Sequence, residues 1–217
     1  MSSLLEELTK KRSLRNVETI VTNKDGSKVV INMNQNGHES VGLAVDGAPS
    51  CGYIIDRSPD DKVYKCDLST YGDKARLYIG SQDAAFNREE LSHNSITMIL
   101  NVGFGIQNAF TADPSITYLS VDILDDIDQN IVDCLPPCFK FLDEAITRDT
   151  GVLVHCNAGV SRSATVLIAF LIRRLRQPLS ICHSIVKSAR KQVQPNQGFM
   201  KQLANYERVE LANLQRL

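Results

Sequence analysis

Hydrophobic and polar positions follow two different periods along the chain, and the change of period marks its organisation. Val17–Thr22 and Lys28–Met33 are short β-branched runs on either side of Asn23-Lys24-Asp25-Gly26. Two such runs around an Asp-Gly turn predict a β-hairpin, because the turn needs residues that tolerate positive φ. Before it, residues 1–15 carry Lys10, Lys11, Arg12 and Arg15 and read as a solvated basic segment. After it, Asn34–Ser50 is polar and glycine-containing, so residues 34–62 read mostly as linker. Residues 1–62 are thus expected to form an N-terminal extension.

From Val63 the pattern changes. Apolar runs at Val63–Cys66, Ala75–Ile79, Ile96–Val102 and Ile116–Val121 predict strands, and Arg88–Asn94 predicts a helix. A longer helix is predicted from Asn130 to Arg148, where Ile131, Leu135, Phe139, Leu142 and Ile146 recur at spacings of three and four. It leads through Thr150-Gly151 into a further apolar strand. Three more helices are predicted: Ser163–Arg176, one marked by Leu179, Cys182, Ile185 and Val186, and Gly198 to about Leu214. Strands alternating with helices predict an α/β domain over 63–217, with a central, mostly parallel, twisted sheet flanked by helices on both faces.

Composition narrows the function more than the fold. With 217 residues, 43% of them hydrophobic, the chain can build one core of ordinary size plus the extension. A formal net charge of −1 gives no overall pull toward nucleic acid or an anionic membrane. No run approaches the ~18 apolar residues of a membrane span, and no apolar leader opens the chain. A soluble protein of the cytoplasm, or also of the nucleus, is expected. The six cysteines (Cys51, Cys66, Cys134, Cys138, Cys156, Cys182) lack the paired spacing of a metal site.

The chemistry concentrates in Gly151-Val152-Leu153-Val154-His155-Cys156-Asn157-Ala158-Gly159-Val160-Ser161-Arg162-Ser163, followed by an apolar helix pattern. A strand, a loop of small residues and a helix N-terminus make an anion cradle. Loop amides can turn inward where Gly159 supplies positive φ, and the helix adds its unpaired N–H groups and positive dipole end. The phosphate-binding residues are then Asn157, Ala158, Gly159, Val160, Ser161 and Arg162. The same field draws a thiol toward its thiolate form, which makes Cys156 a nucleophile. Arg162 can hold two phosphoryl oxygens in its planar fork. The plainer alternative is a buried structural cysteine at a strand end.

His155-Cys156, five residues, Arg162-Ser163 resembles the signature loop of the cysteine-based protein tyrosine phosphatase superfamily. Leu77-Tyr78-Ile79-Gly80-Ser81, Ile99-Leu100-Asn101-Val102 and Pro195-Asn196-Gln197-Gly198-Phe199-Met200-Lys201-Gln202-Leu203 are similar to its dual-specificity branch, and the likeness covers roughly 63–210. The chain has no tryptophan, so it lacks the Trp-Pro-Asp loop of the large tyrosine-specific members. The resemblance is to atypical dual-specificity phosphatases, and within them to those regulating stress-activated pathways.

That resemblance implies hydrolysis of phosphotyrosine and phosphoserine/phosphothreonine on proteins through a cysteinyl-phosphate, with no metal or other cofactor. It also implies which residues act. Asp122, Asp125, Asp126 and Asp128 are all candidates for the acid that protonates the departing oxygen. The family places that acid five residues before an asparagine-apolar pair, here Asn130-Ile131, hence at Asp125. Ser163 is expected to hydrogen-bond the sulfur, or to cap the helix start, and His155 to orient the loop. The implied partner is a phosphorylated protein, such as a protein kinase of a stress-activated cascade, with neither nucleic acid nor membrane. Alternatives are a phosphatase of phosphoinositides or RNA 5′ ends, and a non-catalytic phospho-binding scaffold. The five residues between Cys156 and Arg162 include no cation, which favours a singly phosphorylated side chain. Arg190 and Lys191 are the reservation to that preference, since they could reach the pocket rim and supply the missing charge.

Overall fold

A computed structural model describes residues 18–22, 28–33, 39–43 and 60–214. The chain divides into two units, Met1–Pro59 and Asp60–Leu217. In the first, β1 (Glu18–Thr22), β2 (Lys28–Met33) and β3 (Glu39–Leu43) form an antiparallel meander. β1 and β2 pair with Thr22 opposite Lys28, as expected for the two hairpin runs. The basic start and the Asp-Gly turn lie outside the described residues. β3 falls in the stretch read as linker. Its own pattern is too short to signal a strand, but the second edge of β2 supplies ladder partners, Ile31 opposite Val41.

The second unit is built on a five-stranded sheet: β4 (Tyr64–Lys65), β5 (Leu77–Gly80), β6 (Ile96–Asn101), β7 (Thr117–Ser120) and β8 (Gly151–His155). The order is β4-β5-β8-β6-β7, and only the edge strand β4 runs antiparallel. Alternate residues face opposite sides of a strand, and two cores follow. Leu77, Ile79, Met98, Leu100, Val152 and Val154 pack under α3 (Leu135–Thr147), α4 (Arg162–Leu175), α5 (Leu179–Ala189) and α6 (Gln197–Leu214). Tyr78, Ile99 and Leu153 pack on the other face with Ala85 of α1 (Gln82–Phe86) and Leu91 of α2 (Arg88–His93). Burial on both faces explains why β5 and β8 read as unbroken apolar runs.

Two departures from the sequence expectation have local causes. The helix predicted from Asn130 begins only at Leu135, after a 3-10 turn over Val132–Cys134. Pro136 and Pro137 have no N–H to offer the carbonyls of Val132 and Asp133, so an α-helical ladder cannot start earlier. α1 is a single short turn of helix. It forms because the Ser81 side chain accepts from Ala84 N–H at 3.2 Å. α4 is buried from Ser163 to Ile172 because α3, α5 and α6 surround it. No helix among the described residues is long and apolar enough to cross a membrane.

Gly80, His155, Asn101 and Ser120 stand in register across the carboxyl ends of β5, β8, β6 and β7. The loops that follow these residues converge at this end of the sheet, where ligands of open α/β sheets bind.

Candidate active site

β8 ends at His155, and the chain curls from Cys156 to Ser161 before α4 begins at Arg162. Where the loop carbonyls go decides where its amides point. His155, Asn157 and Val160 carbonyls accept from the amides of Val102, Gln82 and Gln194 at 2.8–2.9 Å. The Cys156 carbonyl accepts from His155 Nδ1 at 3.2 Å. Those of Ala158 and Gly159 accept from the Arg190 guanidinium at 2.8 and 2.9 Å. Thr165 takes the Ser161 carbonyl with both its amide and its hydroxyl. Every carbonyl from 155 to 161 is thus engaged outside the loop. In a trans peptide the next N–H points the opposite way, so the amides face the loop's centre. Among the described residues none of the amides from Asn157 to Arg162 donates to a backbone carbonyl. Gly159 has φ 66°, and a Cβ there would lie 2.4 Å from the Gly80 carbonyl oxygen. Only glycine fits.

Arg190, one of the two cations that could have reached the rim, does not reach it. It is 3% exposed and lies behind the loop, with its guanidinium paired to Asp60 and 5.0 Å from the centre of the Tyr64 ring. Nε, Nη1 and Nη2 each donate behind the loop, to two carbonyls and a carboxylate, and the buried side chain does not reach the rim. Outward-turned loop carbonyls need buried donors, and Arg190 supplies them where no strand does. Lys191 is exposed.

Cys156 sits on the floor of the loop, 1% exposed, with its Sγ 3.4 Å from Ser163 Oγ. The N-cap position of α4 is Ser161, which makes no side-chain cap hydrogen bond, and Ser163 lies within the first turn. Burial drives the His155 imidazole down to about 4. The ring is therefore neutral near pH 7 and carries its proton on Nδ1, where the Cys156 carbonyl accepts it. Burial likewise pushes the thiols of Cys66, Cys138 and Cys182 up to about 12, which leaves them protonated. Arg162 Nη1 donates to the Ile123 carbonyl at 3.2 Å, while its buried Nε has no hydrogen-bond partner among the described residues.

The loop after β7 brings the aspartates to this site unequally. Asp125 Oδ2 is 3.6 Å from Arg162 Nε, and Asp125 Oδ1 accepts from Ser161 Oγ at 2.7 Å and Asn196 Nδ2 at 2.9 Å. Asp126 instead accepts from the Asp128 amide, and Asp122 from the Gly105 amide. This loop rests on the start of α6. Gln202 accepts from Ile131 N–H and donates to the Gln129 carbonyl. A Cβ on Gly198 would lie 1.9 Å from the Ile127 carbonyl oxygen. Asn196, Gly198 and Gln202 lie in a stretch that the sequence singled out without showing what it does. Asp60 carried no such signal. Among the described residues no cluster of three His, Cys, Asp or Glu side chains is placed to hold a metal ion.

A thiol beneath converging amides, with an arginine fork beside it and a carboxyl above, defines a protein that handles phosphate esters. The comparisons give its family. Residues 77–209 match the dual specificity phosphatase catalytic domain. A Dictyostelium discoideum protein named Probable dual specificity protein phosphatase is 42% identical, over 94% of this chain and 97% of its own. Mouse dual specificity protein phosphatase 19 is 38% identical, over 90% and 84%. The crystal structure of human DUSP28 superposes with a TM-score of 0.60 at 32% identity, covering 64% of this chain and 96% of that one. The chain belongs to the dual specificity phosphatases, enzymes that hydrolyse phosphate from tyrosine, serine and threonine. The likeness drawn from the signature loop holds at the level of the family.

Proposed function

We propose that the enzyme works in two steps through a cysteinyl-phosphate. Cys156 attacks phosphorus in line while Arg162 and the amides from Asn157 to Arg162 hold the equatorial oxygens. Asp125 protonates the departing oxygen, and Ser163 hydrogen-bonds the sulfur as the phosphoenzyme breaks down. His155 fixes the loop beneath the nucleophile. The observation that carries this reading is the direction of the loop peptides: seven successive carbonyls are tied outward, so the amides gather where a phosphoryl group would sit.

The substrate we propose is a phosphorylated protein, and a protein kinase of a stress-activated cascade fits the dual-specificity likeness best. The position of Arg190 supports a single phosphate. Its guanidinium is consumed behind the loop, so neither the loop nor Arg190 offers a second charge to a polyanion. One missing pair costs about 4 kcal/mol at an effective dielectric of 20. The test compares phosphotyrosine and phosphothreonine peptides with a soluble phosphoinositide, with Cys156→Ser alongside. Both peptides should be hydrolysed, and Cys156→Ser should be inactive toward either. A higher kcat/KM on the phosphoinositide would overturn the protein substrate, and turnover by Cys156→Ser would overturn the two-step mechanism.

A further inference from the structure

The contacts around Asp125 determine more than its proximity to Arg162. Asn196 Oδ1 accepts from Phe199 N–H at 2.8 Å, as the N-cap of α6. A backbone amide cannot reverse its role, so the side-chain amide of Asn196 is fixed with Nδ2 toward Asp125. Ser161 Oγ accepts from Asn196 N–H at 3.1 Å. Its own proton is therefore the one directed at Asp125, 2.7 Å away. Two donors thus converge on Asp125 Oδ1.

We propose that Ser161 and Asn196 are positioning residues for the departing-group proton: together they occupy Asp125 Oδ1, so that the proton Asp125 delivers is carried by Oδ2. This rests on Asp125 being the acid, as proposed above. An oxygen accepting from a hydroxyl and an amide cannot also hold a proton directed at substrate. Oδ2 has neither donor, and it is the oxygen beside Arg162 Nε, on the side where the phosphoryl group binds. In the first step the Cys156 thiolate forms the S–P bond and the P–O ester bond breaks. Its electron pair stays on the departing oxygen, which takes the proton from Oδ2. Asp125 is left as a carboxylate with Oδ1 still held, so the carboxyl does not turn between steps.

A positioning role differs from a structural one in its dependence on the leaving group. Poor leaving groups need the proton, and good ones do not. Ser161→Ala and Asn196→Ala in the full chain should lose about 10-fold or more in kcat/KM on a phosphothreonine peptide relative to their loss on p-nitrophenyl phosphate, the ratio between the two substrates being the readout. Ser161→Thr, which keeps the hydroxyl, should restore most of the loss. In an Asp125→Asn background neither alanine should widen the gap between substrates further. Because Asn196 also caps α6, Ser161→Ala carries the test should Asn196→Ala fail to fold, and vanadate inhibition checks that the loop still binds an oxyanion. Equal losses on both substrates, or none, would overturn the positioning role while leaving Asp125 as acid. If Asp125→Asn itself shows no leaving-group dependence, the acid assignment falls and the positioning role with it.

Discussion

The loop from Cys156 to Arg162 is held by its backbone, whereas the loop from Asp122 to Ile131 is held by side chains of α6. In the first, consecutive carbonyls are tied down one by one to Val102, Gln82, Gln194, Thr165, His155 and Arg190. In the second, Asn196 and Gln202 reach over to fix a carboxylate and two backbone groups, and Gly198 lets the loop lie flat on the helix. A cradle for a fixed charge needs many backbone dipoles in one orientation, which a short contiguous segment provides. Proton donation needs one carboxyl at one place, which a few clasps provide. The two loops should therefore fail differently.

Arg162→Lys attacks the first loop where it meets substrate and should have the largest effect. An ammonium cannot supply the planar fork, so kcat/KM should fall at least about 100-fold on aryl and alkyl phosphates alike. Retention of more than a tenth of the activity would show that the loop amides suffice.

Next comes the back of the same loop. Arg190→Met leaves two loop carbonyls and the Asp60 carboxylate without their partner, and should lower stability by about 2–4 kcal/mol in urea melts. Vanadate binding should weaken with it. A truncation beginning at Val63 removes Asp60 and should mimic this loss. One beginning at Asp60 should keep full turnover of p-nitrophenyl phosphate, since Asp60 is the first residue of the second unit. Equal behaviour of the two truncations would separate Asp60 from the loop.

Gly198→Ala strikes the second loop instead. The new methyl would overlap the Ile127 carbonyl oxygen, so this loop must lift at a cost of about 1–3 kcal/mol. Activity on phosphothreonine peptides should suffer more than on p-nitrophenyl phosphate, measured side by side. A uniform loss would mean that the displacement spreads to the phosphate loop.

The smallest effect is one of pH. His155 is neutral in the folded enzyme down to about 4, against an ordinary value of 6.5. Between these values the unfolded chain binds the extra proton, so stability falls as pH drops through that window, by at most about 3 kcal/mol. Above 6.5 the penalty is absent. His155→Asn keeps an amide donor near the Cys156 carbonyl and should flatten the decline between denaturation curves at pH 7 and pH 4.5. An unchanged slope would assign acid sensitivity to other groups.

How much of this was legible in the sequence follows the same division. The strands, the long helices and the phosphate loop were readable because each is a local pattern: β-branched runs, spacings of three and four, and small residues before an apolar helix. Two prolines inside the stretch shortened α3, a local signal that the spacing of apolar positions passes over, whereas β3 was recruited by a partner, β2, outside the stretch being read. Arg190 shows the limit most clearly. A basic residue after an amphipathic helix looks like a surface cation, and nothing in its neighbours says that loop carbonyls will turn toward it. Only a fold that brings the end of α5 behind the loop after β8 creates that need.

The sequence by itself determined which residues could do chemistry, because nucleophile, fork and anion-binding amides lie within eight consecutive positions whose geometry a strand and a helix dictate. It left four aspartates as candidates for the proposed acid and, by likeness, favoured Asp125. The tertiary structure alone decided which carboxyl oxygen faces the arginine, which asparagine and serine hold it, and which buried arginine closes the back of the cradle. Those contacts join residues far apart in the chain, and hydrogen bonds between distant segments leave no periodicity behind for a sequence to display.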